Sequence, residues 1–243
     1  MKSEPPDIFP TTSFRHRATE AADPHYDRRV KAPLVYAAGA AVLLSGATAT
    51  VRALQPPGDP QAIFDNAVDS FFAGNVEESA AHFDALVTQT PQVKPQLWQR
   101  GIVLYYVGRY DDCREQFEAH RTVNPNDVEN AAWHFLCVAR AESSDRAQAE
   151  LLPVGPDPRS PMREIYGLFN GSQTADEVMA AANGRPGAEF YAHLYVGLYA
   201  EARGDRKEAI AHISEAAAER YARAGGYMHT VARVHLSLYN ASR

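Results

Sequence analysis

Residues 60–93, PQAIFDNAVDSFFAGNVEESAAHFDALVTQTPQV, and residues 94–127, KPQLWQRGIVLYYVGRYDDCREQFEAHRTVNPND, repeat one pattern. Gly74 of the first stretch recurs as Gly108 of the second, 34 positions later. A fixed period of about 34 residues, with small residues, Phe and Pro in register, indicates a helix-turn-helix repeat. We therefore predict an all-α fold made of stacked helical hairpins. The same spacing relates four further pairs: Ala67 and Gly101, Ser79 and Cys113, Phe83 and Phe117, and Pro91 and Pro125.

Each recurring residue has a physical role in such a hairpin. A Gly between the two helices, at positions 74 and 108, adopts the left-handed turn conformation without steric cost. A small residue such as Gly101 lets the two helices cross closely, and Phe117 fills the space between them. Pro125 ends the second helix and sets the direction of the next one. One hairpin cannot bury its own apolar face, so the copies must stack.

A third copy of the pattern occupies residues 190–223. Gly197 is its small crossing residue, Gly204 its turn and Ala209 its small residue in the second helix, while Ile213 replaces the Phe. Residues 227–239 read as a final amphipathic helix, which we predict to cap the last apolar face. Between the second and third copies the period is lost, and shorter helices are predicted at 129–141, 147–152, 162–169 and 175–182.

The repeated pattern resembles that of the tetratricopeptide repeat (TPR) family, in which Asn-Pro-Asn-Asp, here residues 124–127, is a common repeat ending. Residues 60–240 as a whole resemble membrane-associated TPR-like proteins of plants, algae and bacteria, with matching stretches at 124–142, 157–171 and 191–205. This resemblance implies a TPR-like α-solenoid that binds or scaffolds proteins, without a settled catalytic chemistry. The residues expected to pack the repeats are Gly74, Phe83, Pro91, Gly101, Gly108, Cys113, Phe117, Pro125, Gly197, Gly204 and Ala209.

An uncharged stretch of 20 residues, Ala32–Val51, precedes the repeats and has the length of a membrane-spanning helix. We predict an extended N-terminal tail at 1–31, a single transmembrane helix at 32–54, a linker at 55–59 and the helical repeat domain at 60–243. Small residues in the apolar stretch favour packing against other membrane helices. The predicted anchor residues are Leu34, Tyr36, Gly39, Val42, Leu43 and Gly46.

The charges that flank this helix predict its orientation. Arg28, Arg29 and Lys31 precede the apolar stretch and Arg52 follows it. The positive-inside rule then places the N-terminus on the matrix-like or stroma-like side and the repeats on the far side. Two other interpretations stay open, a cleaved export signal that ends near residues 47–49 and a buried helix of a soluble protein.

The tail and the apolar stretch together resemble, with less specificity, the N-terminal tail and anchor of the mitochondrial Rieske iron–sulfur protein. The resemblance rests on Pro6-Asp7, Phe14-Arg15, the basic residues at 28–31 and Tyr36 among small residues. It implies a similar membrane placement. It implies no redox centre, because the paired Cys and His motifs of the Rieske cluster have no counterpart in this sequence.

Few residues suggest catalysis or metal binding. The sequence has no Gly-rich phosphate loop, His-Glu-x-x-His helix or Gly-x-Ser-x-Gly turn. His193 and His212 lie on opposite helices of the last hairpin and could approach each other, although scattered histidines are more often structural. Cys113 and Cys137 are interpreted as buried free thiols, with a disulfide or a redox role as the alternatives. We expect no catalytic residue, no metal and no cofactor.

Charge and aromatic content bear on the partners. The net charge of −6 argues against a nucleic-acid partner. Aromatic residues cluster on the first helices of the hairpins, which line the concave face of repeat proteins. Among them, Phe72, Tyr105 and Tyr106 are the candidate anchors for a bound protein.

These features predict a membrane-anchored TPR scaffold that acts as a non-catalytic accessory or structural subunit of a large energy-transducing membrane complex, with the respiratory type favoured. Its partners are then other protein subunits and, through one helix, the lipid bilayer. The alternative is a TPR adaptor or assembly factor that binds peptides transiently on the thylakoid or bacterial periplasmic side. Orientation alone fits all of these membranes, and the Rieske-like anchor slightly favours the mitochondrial inner membrane.

Overall fold

A computed structural model describes residues 58–241, and these residues form helices joined by turns, with no strand among them. The prediction of an all-α chain is therefore confirmed for this part of the protein. The tail, the predicted transmembrane helix with its anchor residues and the first part of the linker lie outside the described residues. Across residues 58–241, none of the helices combines the length and apolar character that a bilayer crossing requires.

Twelve α-helices make up the described part of the chain. They are α1 (Pro60–Phe72), α2 (Val76–Gln89), α3 (Trp98–Tyr106), α4 (Tyr110–Arg121), α5 (Val128–Ala141), α6 (Ser144–Ala149), α7 (Met162–Asn170), α8 (Ala175–Ala182), α9 (Pro186–Ala202), α10 (Arg206–Ala216), α11 (Ala222–Gly225) and α12 (Tyr227–Ala241). Short 3-10 helices occupy Pro91–Gln96 and Glu219–Tyr221.

Local side-chain bonds explain where several of these helices begin. The carboxylate of Asp59 accepts a hydrogen bond from the backbone N–H of Gln61 at the start of α1, and Asp127 does the same for Glu129 at the start of α5. Thr174 and Glu177 form a reciprocal capping box at the start of α8. Such bonds satisfy backbone N–H groups that have no partner within the helix.

Close helix crossings are built on a Gly and a large residue 16 positions later. A Cβ atom at Gly101 would lie 2.6 Å from the ring of Phe117, and one at Gly197 would lie 2.9 Å from Cγ1 of Ile213. Real Cβ atoms do not approach so closely, so only Gly allows α3 to pack on α4, and α9 on α10, at this separation. The turns of the three hairpins carry positive φ angles, at Gly74, Gly108 and Gly204.

The helices pack in chain order and then close on themselves. Helix α1 packs on α2, α3 on α4, and α5 on both α4 and α7, while α9 packs on α5, α8 and α10. The final helix, α12, packs on α10 and α11, as expected for a cap, and it also contacts α1. The first and last described helices therefore meet, and the aromatic residues between them are partly buried.

The two cysteines do not follow the expectation of free thiols. Cys113 in the first turn of α4 and Cys137 near the end of α5 are paired as a disulfide, and both are fully buried. The pairing is possible because α4 packs on α5 and brings the two Cα atoms to 5.9 Å, within the usual range for a disulfide. The bond joins the second hairpin to the helix that follows it.

Candidate interaction surface

The three aromatic residues predicted to anchor a partner all contact the chain itself. The ring of Phe72 lies 4.9 Å from that of Tyr227, and the hydroxyl of Tyr106 lies 3.1 Å from Nδ1 of His235. Tyr105 is only 7% exposed, and its ring lies 5.6 Å from that of Trp133. These side chains form an aromatic cluster in which Tyr105 is buried and Phe72 and Tyr106 are partly buried.

Helix α12 supplies much of the cover over this cluster. The Tyr227 ring lies 4.8 Å from the ring of Trp98 on α3, in an edge-on arrangement, in addition to its contact with Phe72 on α1. Aromatic pairs at such separations each contribute about 0.5–1.5 kcal/mol beyond their buried area. Helix α12 therefore packs against Phe72 and Tyr106, two of the residues that the sequence predicts as anchors for a partner.

A line of polar side chains joins α12 to the helices beside it, in the order Tyr106, His235, Glu201 and Arg140. Nε2 of His235 lies 2.9 Å from Oε2 of Glu201 on α9, and Nη1 of Arg140 lies 3.7 Å from the other oxygen of Glu201. Burial works against the charged form of Glu201, but His235 and Arg140 outweigh it and lower the pKa of this carboxyl. At the other end, burial raises the pKa of Tyr106 well above its ordinary value, so its hydroxyl stays protonated. The line fixes α12 against α3, α5 and α9.

A second polar cluster surrounds Arg159, in the irregular segment between α6 and α7. Its guanidinium lies 2.6 Å from carboxylate oxygens of Asp127, Glu129 and Asp157, and Tyr195 donates a hydrogen bond of 2.7 Å to Glu129. Three carboxylates thus share one cation. Burial, together with the charge of Asp127, raises the pKa of Glu129 to about 7 despite the opposing effects of Arg159 and Tyr195. The cluster ties the start of α5 to α9.

Sequence reasoning missed most of these polar residues. His235 lies between Val234 and Leu236 in a helix predicted to be amphipathic, and its position on the apolar side was the available signal. Glu201 and Arg159 gave no comparable signal, because their partners are distant in sequence and follow no period.

The exposed surface of the first two hairpins is acidic. Glu77 and Glu78 at the start of α2 are exposed, as are Asp111, Glu115 and Glu118 on α4. Val123, after α4, is the one large hydrophobic residue among residues 58–241 that is strongly exposed, at 51%. The outward face of the described chain therefore offers charge rather than an apolar patch.

An open recess of about 410 Å³ lies where the α7–α8 turn approaches α9 and the start of α10. Its lining combines apolar residues such as Leu168 and Val196 with the charged Arg203 and Glu208. It shares no residue with the aromatic cluster, so the recess and the predicted anchors are separate features.

No model of a known protein family matches this chain, and no curated protein sequence matches it. The TPR-like resemblance therefore rests on the repeated residues of the chain itself.

Proposed function

We propose that this protein is a TPR-like helical-repeat scaffold, anchored in a membrane through residues 32–54, and that it serves as a non-catalytic accessory subunit of a large membrane complex. The favoured setting is a respiratory complex of the mitochondrial inner membrane, with the repeats on the far side from the N-terminus. The observation that supports the proposal most directly is that helix α12 packs against the aromatic cluster that includes Phe72 and Tyr106.

This occupation favours a permanent subunit over a transient peptide adaptor. An adaptor groove needs exposed apolar anchors that a peptide can cover. In this chain Phe72, Tyr105 and Tyr106 contact its own residues, Tyr227, His235 and Trp133 among them, and are partly or fully buried by them. Opening that groove would cost the contacts that join α1 to α12. A scaffold that uses its outer surface has no such cost.

The acidic outer surface favours a positively charged partner. Exposed acidic residues on α2 and α4, together with the excess of acidic residues in the chain as a whole, favour a partner surface rich in Lys and Arg. Such complementarity contributes more to orientation and association rate than to affinity. The membrane helix would supply the remaining contact area by packing against other membrane helices.

The disulfide is a separate argument for the proposed orientation of the repeats. Disulfides persist in compartments that are oxidising and are rare where thiols are kept reduced. The pairing of Cys113 with Cys137 fits a repeat domain on the far side of the membrane, the side that the charges flanking residues 32–51 also predict.

Extraction with a mild detergent followed by gel filtration tests the proposal. The full chain should elute with a large complex in a fixed ratio to its other subunits. Elution of the chain alone, near its own mass of 26.7 kDa in a detergent micelle, would overturn it. Leu43→Arg, compared with Leu43→Ala, tests the anchor separately. An Arg at the centre of a membrane helix costs about 2.5–3.5 kcal/mol, so the Arg variant alone should become extractable by alkaline carbonate.

A further inference from the structure

Two histidines of the last hairpin face each other directly. Nδ1 of His193 on α9 lies 3.0 Å from Nδ1 of His212 on α10, and the ring centroids are 5.0 Å apart. Both side chains are partly buried. The close crossing of Gly197 and Ile213 explains the contact, because Gly197 follows His193 by one helical turn and Ile213 adjoins His212.

We propose that His193 and His212 form a binding site for a divalent transition-metal ion, with both Nδ1 atoms as ligands. Zinc–imidazole bonds are about 2.0–2.1 Å long. Two nitrogens 3.0 Å apart would subtend an angle of about 94° at an ion placed at that distance from each. This angle suits neighbouring positions of a square-planar or octahedral ion, which favours Cu²⁺ and Ni²⁺, and the general affinity order places Cu²⁺ first.

The surroundings keep both rings in the form that binds a metal. Burial lowers the pKa of His193 to about 4, and the neighbouring His212 and Arg220 act in the same direction. Burial also lowers the pKa of His212. Neutral imidazole is the metal-binding form, and binding through both Nδ1 atoms requires the remaining proton of each ring to lie on Nε2.

Charged neighbours on both helices bear on a bound cation. Glu189 lies one turn before His193, Glu208 lies one turn before His212, and their negative charges favour a cation at the pair. Arg220 opposes it, but this guanidinium is paired with Glu215. Among residues 58–241 no three His, Cys, Asp or Glu side chains converge as a metal-binding group. The two histidines are therefore the protein ligands, and water or a partner supplies the other positions.

The competing interpretation is a direct hydrogen bond between the two neutral imidazoles. That bond uses the same two Nδ1 atoms, so bonding and metal binding exclude each other. The two are distinguished by adding the metal alone to the protein.

Calorimetric titration of the chelator-treated full chain with CuCl₂ tests the site. The matched variants are His193→Gln and His212→Gln, with His82→Gln as a control on α2, and circular dichroism checks that each is folded. The unaltered chain and the control should bind the same number of Cu²⁺ ions. Each variant of the pair should lose one equivalent or bind it at least tenfold more weakly. Equal binding by all four chains would overturn the proposal.

A second measurement needs no variant. Diethyl pyrocarbonate modifies accessible imidazoles, and its sites can be mapped by mass spectrometry of the unaltered chain. Addition of Cu²⁺ should protect His193 and His212 and leave His82 unprotected. Unchanged modification of the pair in the presence of Cu²⁺ would contradict metal binding at this place.

Discussion

The ring of Tyr227, at the start of α12, lies 4.9 Å from the ring of Phe72, at the end of α1. This contact joins residues separated by most of the described chain. It brings α12 onto the first hairpin, at the ring of Phe72 on α1. The proposed scaffold role depends on this contact, because α12 packs against residues that the sequence predicts as anchors for a partner.

Tyr227 offers a matched pair of substitutions that test the closure. Tyr227→Ala removes the ring that contacts Phe72 and Trp98, and it should lower the free energy of unfolding by about 3–4 kcal/mol. The Tyr227 hydroxyl is buried without a hydrogen-bond partner. Tyr227→Phe should therefore be neutral or stabilising by about 1 kcal/mol. Urea unfolding measures both, and equal effects of the two variants would contradict the described packing.

Gly101 tests the helix crossing of the second hairpin. A methyl group in Gly101→Ala would overlap the Phe117 ring, and we expect a loss of about 1–3 kcal/mol. Gly187→Ala is the control, because a Cβ there meets nothing within 4 Å and Ala favours the helix by up to about 1 kcal/mol. The prediction fails if thermal unfolding shows Gly101→Ala to be as stable as the unaltered chain.

Glu129 should make the stability of the fold depend on pH. Burial raises its pKa from an ordinary 4.5 to about 7, so the folded chain holds this proton more tightly than the unfolded chain. Its contribution to stability is then fully present below about pH 4.5 and is lost as the pH rises through 7. The change across this range is at most about 3.4 kcal/mol.

Other groups titrate in the same range, so the comparison must be with Glu129→Gln. Histidines whose pKa is lowered by burial, such as His120 and His134, act in the opposite direction. The stability of the unaltered chain relative to Glu129→Gln should fall between pH 4.5 and 7. The exposed Glu77→Gln controls for loss of one negative charge. Urea unfolding at three pH values measures the difference, and a constant difference would show that burial of Glu129 has no such effect.

The disulfide predicts sensitivity to reduction. Cys113 and Cys137 close a loop across 24 positions, and the loop-entropy relation gives a stabilisation of about 3.5 kcal/mol. Reduction with dithiothreitol, or the double variant Cys113→Ala/Cys137→Ala, should lower the urea midpoint by similar amounts. Alkylation of the unreduced, denatured chain should label neither cysteine. Labelling of both would show that the thiols are free.

The hairpins could be predicted from the sequence, and their closure could not. The close approach of Gly101 and Phe117 is a contact between neighbouring helices, and both residues belong to the repeated pattern. It can therefore be predicted from the period of 34 residues. The contact between Phe72 and Tyr227 joins two places that no period relates. The cluster around Arg159 lies in an irregular segment, where neither spacing nor hydrophobic pattern indicates which distant carboxylates will meet.

The cysteine pair shows a similar limit. Spacing places Cys113 at a packing position of the second hairpin, but it does not say which helix of the next unit faces it. That depends on how α4 packs on α5, which brings Cys137 within reach. The sequence therefore left the disulfide as an alternative, and the packing of the two helices decided it.

Co-elution in mild detergent is the most direct test of a scaffold that acts through its outer surface. The full chain should be compared with Glu77→Lys/Asp111→Lys, which reverses two exposed charges on α2 and α4, and with Asp176→Lys on α8 as a control. The unaltered chain and the control should elute with a large complex, and a smaller share of the double variant should do so. Elution of the unaltered chain on its own would contradict a permanent subunit.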